Sequence, residues 1–561
     1  IKSGQDRLFH NIKINKDILA KNNIISIENI KSEINSYNNS LNLELDDTIL
    51  KIYKTLLISG RLSNNTKFIK KILHNNKNID FEHYRYAVAG MAEMLLEICR
   101  PGDRAAVLMT NSIDMAVTLM GCMAAGTQTA PLNPSLTERE LLPLLNDIDA
   151  QVLMCDLPNK KQAHQIAAKA GIKIVYTSNE EFDIWEFVKN KNNRLPEPLP
   201  TEDMLAAMFF TGGTTGLPKG AEHTHQSVSV YAPLTHALWR FRFDREIMLN
   251  VAPMFHIWGH HFTLVFPLYL RATMVIVPQY NPKLVLEELE GNKVTVFAGG
   301  PAAIFLGLLG VDSIDDTNFS SLEYSIAGGS PCPEGLLTRW KERTGNEILE
   351  GWGMSEGAPI NCNPTHGIKK SLSVGTTNPR TEIDIVDLKT GEKLMPQGEK
   401  GEIRLRGPQF SIGYRNKPEE TAKAIRNGWL YTGDIGYFDD EGYLFLVDRK
   451  KEMIIVGGFN VYPREIDEVL TSHPFVAEAG TVGIPDDFSG EAPHAFVAPQ
   501  LGKNISVDEL MIYCTKNLVK YKIPKFISIL DSLPKKGPGK IDKITLKQEA
   551  LNKQNKKLSL K

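Results

Sequence analysis

At 561 residues the chain is too long for one hydrophobic core, and a range of about 100–200 residues per domain predicts two to four units. Its composition, 42% hydrophobic and 23% charged, is that of a globular protein, and 64 basic against 66 acidic side chains leave a net charge of −2. That balance argues against a whole-molecule role in binding nucleic acid, so partners have to be read from local sites.

Residues 1 to 80 are rich in Asn, Ile and Lys, with apolar residues at roughly helical spacing and many polar interruptions. They predict an N-terminal extension, helical or partly ordered. From Tyr84 the texture changes. "YRYAVAGMAEMLLEI" predicts an amphipathic helix, "PGDRAAVLMTNS" a turn and a buried strand, and "IDMAVTLMGCMAAG" a second helix ended by Gly126. Helix and strand signals then alternate through "AQVLMCD", "IKIVYTS", "MLAAMFFTG" and "ATMVIVP", the pattern of doubly wound α/β sheets.

After about residue 370, "TEIDIVDLKTGEKLMPQGEKGEIRLRG" carries period-two strands joined by glycine turns. The reading is α/β: a large domain over 81–447 with a small β-barrel-like subdomain at about 370–447. A small, mobile α+β C-terminal domain is expected over 448–561, with a hinge near 448–451. Six scattered cysteines with no CxxC pair suggest neither disulfides nor a zinc site and fit a reducing, cytoplasmic setting. The stretch "FTLVFPLYLRATMVIVP" is broken by Pro267 and Arg271, so no transmembrane helix is expected, which leaves room for peripheral membrane contact. No basic-then-apolar signal pattern opens the chain.

Six segments carry chemistry. "FFTGGTTGLPKGA" (209–221) follows a predicted buried strand and precedes "HTHQSVSVY", read as a helix, which is where a phosphate loop belongs in an α/β sheet. Glycines allow close backbone approach to a polyphosphate, threonines add hydroxyls and Lys219 supplies a charge; a flexible Gly/Thr turn is the plain alternative. It is not the Walker pattern, because Pro218 precedes the lysine and Gly220 follows it. "GGSPCPE" (328–334), "EGWGMSEGAP" (350–359), "YTGDIG" (431–436), "DRKKEMIIVGGFNVYP" (448–463) and "PKKGPGKIDK" (534–543) follow in order. In "PMFHIWGHH", His256 and His260 are four residues apart, but Pro253 and Gly259 should spoil a helix and no acidic ligand accompanies them, so a zinc site is not expected.

From Tyr84 to Lys543 this ordered set resembles the adenylate-forming superfamily of acyl-CoA synthetases, amino-acid-adenylating domains and luciferases. The resemblance implies ATP and Mg²⁺ as cofactors and a two-step reaction: a carboxylate attacks the ATP α-phosphate to give acyl-AMP and pyrophosphate, then a thiol displaces AMP. It implies that Thr211, Gly212, Gly213, Thr214, Thr215 and Gly216 wrap the phosphates, with Lys219 closing the loop and Gly329, Ser330, Gly351, Gly353 and Met354 in the nucleotide site. Trp352 would offer its face to adenine where relatives carry tyrosine, against the alternative of a core tryptophan. Ser355 would bond a phosphate oxygen, Glu356 would ligate magnesium, Asp434 would accept the ribose hydroxyls and Arg449 would complete the site. Lys451 is implied as hinge, and Lys540 as the catalytic cation of adenylation. Gly457, Gly458 and Phe459 would face the pantetheine of coenzyme A in the second step, Gly458 leaving room for its arm. His256 would gate the acyl pocket and the thiol approach. Trp258, Gly259, Gly299 and Gly300 are pocket candidates, the glycines small enough to admit an elongated chain.

The TGG start of the loop and "GGFNVYPREIDEVL" resemble fatty-acyl-CoA synthetases most, implying a medium- or long-chain fatty acid and coenzyme A as partners. The rivals are an acyl-AMP synthetase loading an acyl carrier protein, a luciferase-like oxygenase and an inactive binding module. Ile455, where luciferases carry lysine, counts against the oxygenase; the intact Glu356, Asp434, Arg449 and Lys540 count against the inactive module. "LDSLP" contains the Asp-Ser-Leu of carrier attachment sites without enough chain around it for a carrier domain.

Overall fold

The computed structural model describes residues 71–74, 77–211, 218–486, 488–536 and 540–559. A large domain of mixed sheets and helices is followed by a smaller α+β domain, as the sequence pattern predicts. Two sheets dominate the large domain. The seven-stranded one orders its strands Gly413–Tyr414, Gly220–Thr224, Leu205–Phe210, Gln128–Pro131, Arg104–Leu108, Val152–Cys155 and Ile174–Thr177. Its interior is parallel, as helical crossovers require, while the Leu205–Phe210/Gly220–Thr224 pair is antiparallel. The nine-stranded sheet is also parallel through its centre, from Ile348–Met354 across to Lys71–His74.

The helices Phe81–Leu96 and Ile113–Ala124 form where the sequence predicts them, capped by Asp80, which accepts from the His83 amide at 2.8 Å, and by Ser112, which accepts from the Met115 amide at 3.1 Å. Gly126, with φ of 70°, closes the second one. They share one core with apolar side chains from both sheets, including Val107, Met154, Met274, Val296 and Ile326. Their crossing is close: a Cβ on Gly121 would lie 2.2 Å from Met91 Cγ.

Three sequence expectations are corrected. Residues 71–80 are not part of an extension: Lys71–His74 pairs parallel with Thr273–Ile276 and antiparallel with Lys77–Asp80, placing buried Ile72 and Ile79 in the core. The earlier residues of the expected extension lie outside those described, apart from this edge. "HTHQSVSVY" does not begin as a helix. His223 and Thr224 still belong to the strand Gly220–Thr224, and the helix His225–Ser229 starts only after Thr224 caps it. Lastly, Pro253 and Gly259 do not spoil a helix. Ile257–His260 is helical and leads through a π turn at His261–Val265 into Phe266–Leu270. Gly259 is admitted because it packs on backbone, where a Cβ would stand 2.0 Å from Pro253 O, and Pro267 lies just after the π turn, within the continuous helical run.

Beyond the nine-stranded sheet, the strands Glu382–Val386, Gly401–Arg406, Ile425–Arg426, Trp429–Phe438 and Leu444–Arg449 form an antiparallel sheet. The C-terminal domain has its own core around Ile454, Val461, Ile466, Leu470, Val497 and Leu510. No helix among the described residues is long and apolar enough to cross a membrane.

Candidate active site

Strand geometry gathers the motifs. Gly212 to Gly216 lie outside the described residues, but the two ends of their loop are held together: Thr211 N donates to Lys219 O at 2.9 Å, and Lys219 N to Thr211 Oγ1 at 3.3 Å. The loop therefore joins two antiparallel strands, which corrects the expected strand-to-helix setting. No helix N-terminus continues directly from it, so hydroxyls, amides and Lys219 are the groups it can offer an anion. Lys219 Nζ lies 3.3 Å from Glu420 and 4.4 Å from the centre of the Tyr414 ring.

The Tyr414 hydroxyl donates to Glu356, so one aromatic side chain spans the loop lysine and the carboxylate expected to hold magnesium. Glu356 is only 8% exposed and sits in the turn between Ile348–Met354 and Gly357–Cys362. Ser355 Oγ donates to Phe210 O at 3.4 Å, drawing that turn onto the strand that leads into the loop. Neither Tyr414 nor Glu420 was identified from sequence. The ion pair joins residues 201 apart in the chain, and "GYRNKPEE" has no pattern that names a partner.

Asp434 and Arg449 face each other in the register of Trp429–Phe438 with Leu444–Arg449, and Arg449 Nε lies 2.8 Å from Asp434 Oδ1. Burial pushes the Asp434 carboxyl up, and the charges of Arg449 and Lys540 oppose that rise. Lys540, from the C-terminal domain, is thus close enough to act on Asp434. It also acts on His256, whose imidazole is lowered to about 4, first by burial and then by the Lys540 charge. Lys540 itself is held below the usual lysine range by burial and then by Arg449, with Asp434 opposing. The residue is nonetheless exposed to solvent, with protein close around its ammonium. The arrangement brings Lys540, His256, Asp434 and Arg449 together from both domains.

Other expected residues fare differently. Trp352 is 8% exposed and belongs to a hydrophobic cluster that includes Ile360, Ile403, Leu405 and Leu444. Ser330 Oγ accepts from Ala302 N at 3.0 Å and so holds the start of the helix Ala302–Leu309, while Gly329 takes a φ of 82° beside it. Gly351 and Gly353 pack tightly, their missing Cβ positions 3.0 Å from Trp239 and 2.8 Å from Ala358; Met354 is half-buried. Lys451 is exposed, three residues after the half-buried Asp448, whose carboxyl is raised to about 6 by desolvation against the opposing charge of Lys543.

The pocket glycines are corrected in part. Gly259 meets the Pro253 backbone, and a Cβ on Gly299 would stand 2.6 Å from Phe305, so neither opens space for a chain. Gly300 does face the candidate Trp258: its Cβ would lie 3.7 Å from the indole Nε1, and one on Gly328 would lie 2.3 Å from the far side of the same ring. Trp258 thus lies across both glycines. Gly457 and Gly458 have φ of 57° and 88° and form the two-residue turn of the hairpin Ile454–Val456/Phe459–Val461, where positive φ at both positions calls for glycine. Phe459 is 57% exposed and stacks on Tyr521.

The chemistry of this donor set fits a magnesium nucleotide: cations for phosphates, a hydrogen-bonded carboxylate for Mg²⁺ and a buried carboxylate for a diol. The comparisons agree. The AMP-binding enzyme family matches residues 61–415, and the AMP-binding enzyme C-terminal domain matches 465–540. The chain belongs to this family of adenylate-forming enzymes. A long-chain-fatty-acid–CoA ligase of Bacillus subtilis is 33% identical over 80% of this chain and 86% of its own. A feruloyl-CoA synthase of an Amycolatopsis species is 34% identical over 79% of this chain and 88% of its own. Among solved structures, ATP-bound MatB from Rhodopseudomonas palustris superposes with a TM-score of 0.81 at 27% identity, over 88% of this chain and 98% of that one. The protein is an AMP-forming acid–thiol ligase using ATP and Mg²⁺, with coenzyme A as co-substrate.

Proposed function

We propose that the acid is a medium- or long-chain fatty acid and that the residues gathered between the domains carry its activation. The acid's carboxylate oxygen attacks the α-phosphorus of ATP, the bond to the β-phosphate oxygen breaks, and pyrophosphate leaves. Lys540 offsets the charge that accumulates on the α-phosphate and the carboxylate as this happens. Asp434 and Arg449 hold the ribose, Thr211 and Lys219 the outer phosphates, and Glu356 and Ser355 the magnesium end. In the second step the coenzyme A thiolate attacks the acyl carbon and AMP departs. Lys540 withdraws as the C-terminal domain turns about Lys451 and presents Gly457, Gly458 and Phe459.

What supports the adenylation reading is the Asp434–Arg449 pair, 2.8 Å apart, with the charge of Lys540 from the C-terminal domain acting on Asp434 and on His256. The fatty-acid reading is supported by the Bacillus relative and the fatty-acyl-type motifs. A second reading, an aromatic acid, is favoured by the Trp258 indole lying across Gly300 and Gly328 and by the feruloyl relative. Acid-dependent ATP–pyrophosphate exchange from acetate to stearate, with ferulate alongside, separates them. We expect the highest rates between octanoate and stearate; higher exchange with ferulate or acetate would overturn the fatty-acid reading. Transfer to coenzyme A should exceed transfer to a holo acyl carrier protein, and the reverse would make the protein a carrier-loading synthetase.

A further inference from the structure

His223 belongs to none of the six motifs, yet it touches two of them. It lies in Gly220–Thr224, the strand that leaves the phosphate loop, and is fully buried. One ring nitrogen, Nε2, is 2.8 Å from the Ser355 carbonyl oxygen, and the other, Nδ1, is 2.8 Å from the hydroxyl of buried Tyr231. A carbonyl can only accept, so Nε2 must carry the proton. Nδ1 is then the acceptor and the Tyr231 hydroxyl its donor. Ser227 Oγ stands further from the same nitrogen, at 3.5 Å. Phe209, on the strand that enters the loop, packs on the His223 ring and on that of His260.

These contacts bridge the two hairpins that the nucleotide's phosphates and magnesium would meet. Ser355 is tied to Phe210 through its hydroxyl and to His223 through its carbonyl, so the residue before Glu356 is held from both the entering and the leaving strand of the loop. A side chain there that merely filled space would leave the Ser355 carbonyl and the Tyr231 hydroxyl unpaired in the core. We propose that His223, oriented by Tyr231, is a positioning residue that locks the Ser355–Glu356 turn against the phosphate-loop hairpin and so sets affinity for the magnesium-triphosphate end of ATP. The proposal rests on the adenylating reading of the site. Burial also keeps this imidazole neutral, its pKa lowered to about 4, so the bond pattern persists through the physiological range.

The test compares two ligands by titration calorimetry on the full chain: magnesium α,β-methylene-ATP, which needs the turn, and AMP, which lacks the outer phosphates. His223→Leu should weaken the magnesium analogue about tenfold while AMP binding changes less than about twofold. His223→Gln keeps an Nε2 donor and should recover to within about threefold of wild type, and Tyr231→Phe should weaken the analogue about threefold, again sparing AMP. Equal losses for both ligands, or no loss for the analogue, would overturn the proposal. Should His223→Leu fail to fold, Tyr231→Phe decides: unchanged analogue binding refutes it. If wild type bound neither ligand, the adenylating reading would fall first, and the proposal with it.

Discussion

Lys219 and Lys540 both stand beside glycine-rich loops, and the structure gives them opposite surroundings. Lys219 is partnered, with Glu420 at 3.3 Å and the Tyr414 ring beneath its ammonium. Around Lys540, desolvation and the Arg449 guanidinium outweigh the carboxylates of Asp434 and Glu452, and its charge in turn disfavours protonation of His256. A partnered cation is already stabilised before substrate arrives, so it can contribute binding without much change along the reaction. A cation held in a crowded site with another positive group gains most when negative charge builds up beside it, as in a transition state.

The contrast can be broken experimentally. The largest effect is expected for Lys540→Ala: acyl-AMP formation should fall about 10²- to 10³-fold, the scale of losing one preorganised electrostatic contact, while thioesterification of supplied acyl-AMP is largely retained. Equal loss of both half-reactions would contradict the domain movement. Asp434→Ala removes the buried carboxylate expected on the ribose, and should raise the KM for ATP roughly 10- to 100-fold, as charged hydrogen bonds of about 1.5–3 kcal/mol imply. An unchanged KM would remove Asp434 from the site. Lys219→Ala should raise the KM for magnesium-ATP by about tenfold, one charge-assisted contact, with a smaller effect on kcat; a collapse of kcat alone would reverse the roles of the two lysines.

The pH profile sharpens the same comparison. Lys540 acts as the ammonium, and burial and Arg449 lower its pKa from the ordinary 10.5. Adenylation should therefore decline as pH rises through a value below 10.5, because the charged form is lost earlier, and Lys540→Arg should move that decline upward. A basic limb that stays where it was in Lys540→Arg would assign it to another group. The smallest effect is expected for Glu420→Gln, which leaves the Tyr414 ring under Lys219: an exposed pair of this kind contributes little, so the KM for magnesium-ATP should shift less than about threefold.

Much of this was legible in sequence where signals are local. The two amphipathic stretches announce helices, Gly126 a helix end, and "YTGD" and "DRKK" contain residues that antiparallel register brings face to face. The misreadings have physical causes. Gly259 looks like spare volume, but whether a missing Cβ opens a pocket or admits a neighbouring carbonyl depends on what packs there, and the Pro253 backbone fills the space. Trp352 is no misreading but an ambiguity, since an indole suits both adenine and a core, and its 8% exposure within a cluster that includes Ile360, Ile403 and Leu405 is compatible with either. "HTHQSVSVY" contains both a strand end and a helix start, separated only by the Thr224 cap.

By itself the sequence determined the class of chemistry, because phosphate loops, turn glycines and paired acid and base residues are encoded in short segments whose local backbone demands are strong. Tertiary structure alone decided which groups act on one another. Tyr414 joins Lys219 to Glu356, His223 joins the phosphate-loop hairpin to Ser355, and the charge of Lys540 acts on His256 from another domain. Those pairings depend on sheet register and domain docking, which bring together residues far apart in the chain, 58 positions for Tyr414 and Glu356 and 132 for His223 and Ser355, and no short stretch of chain specifies them.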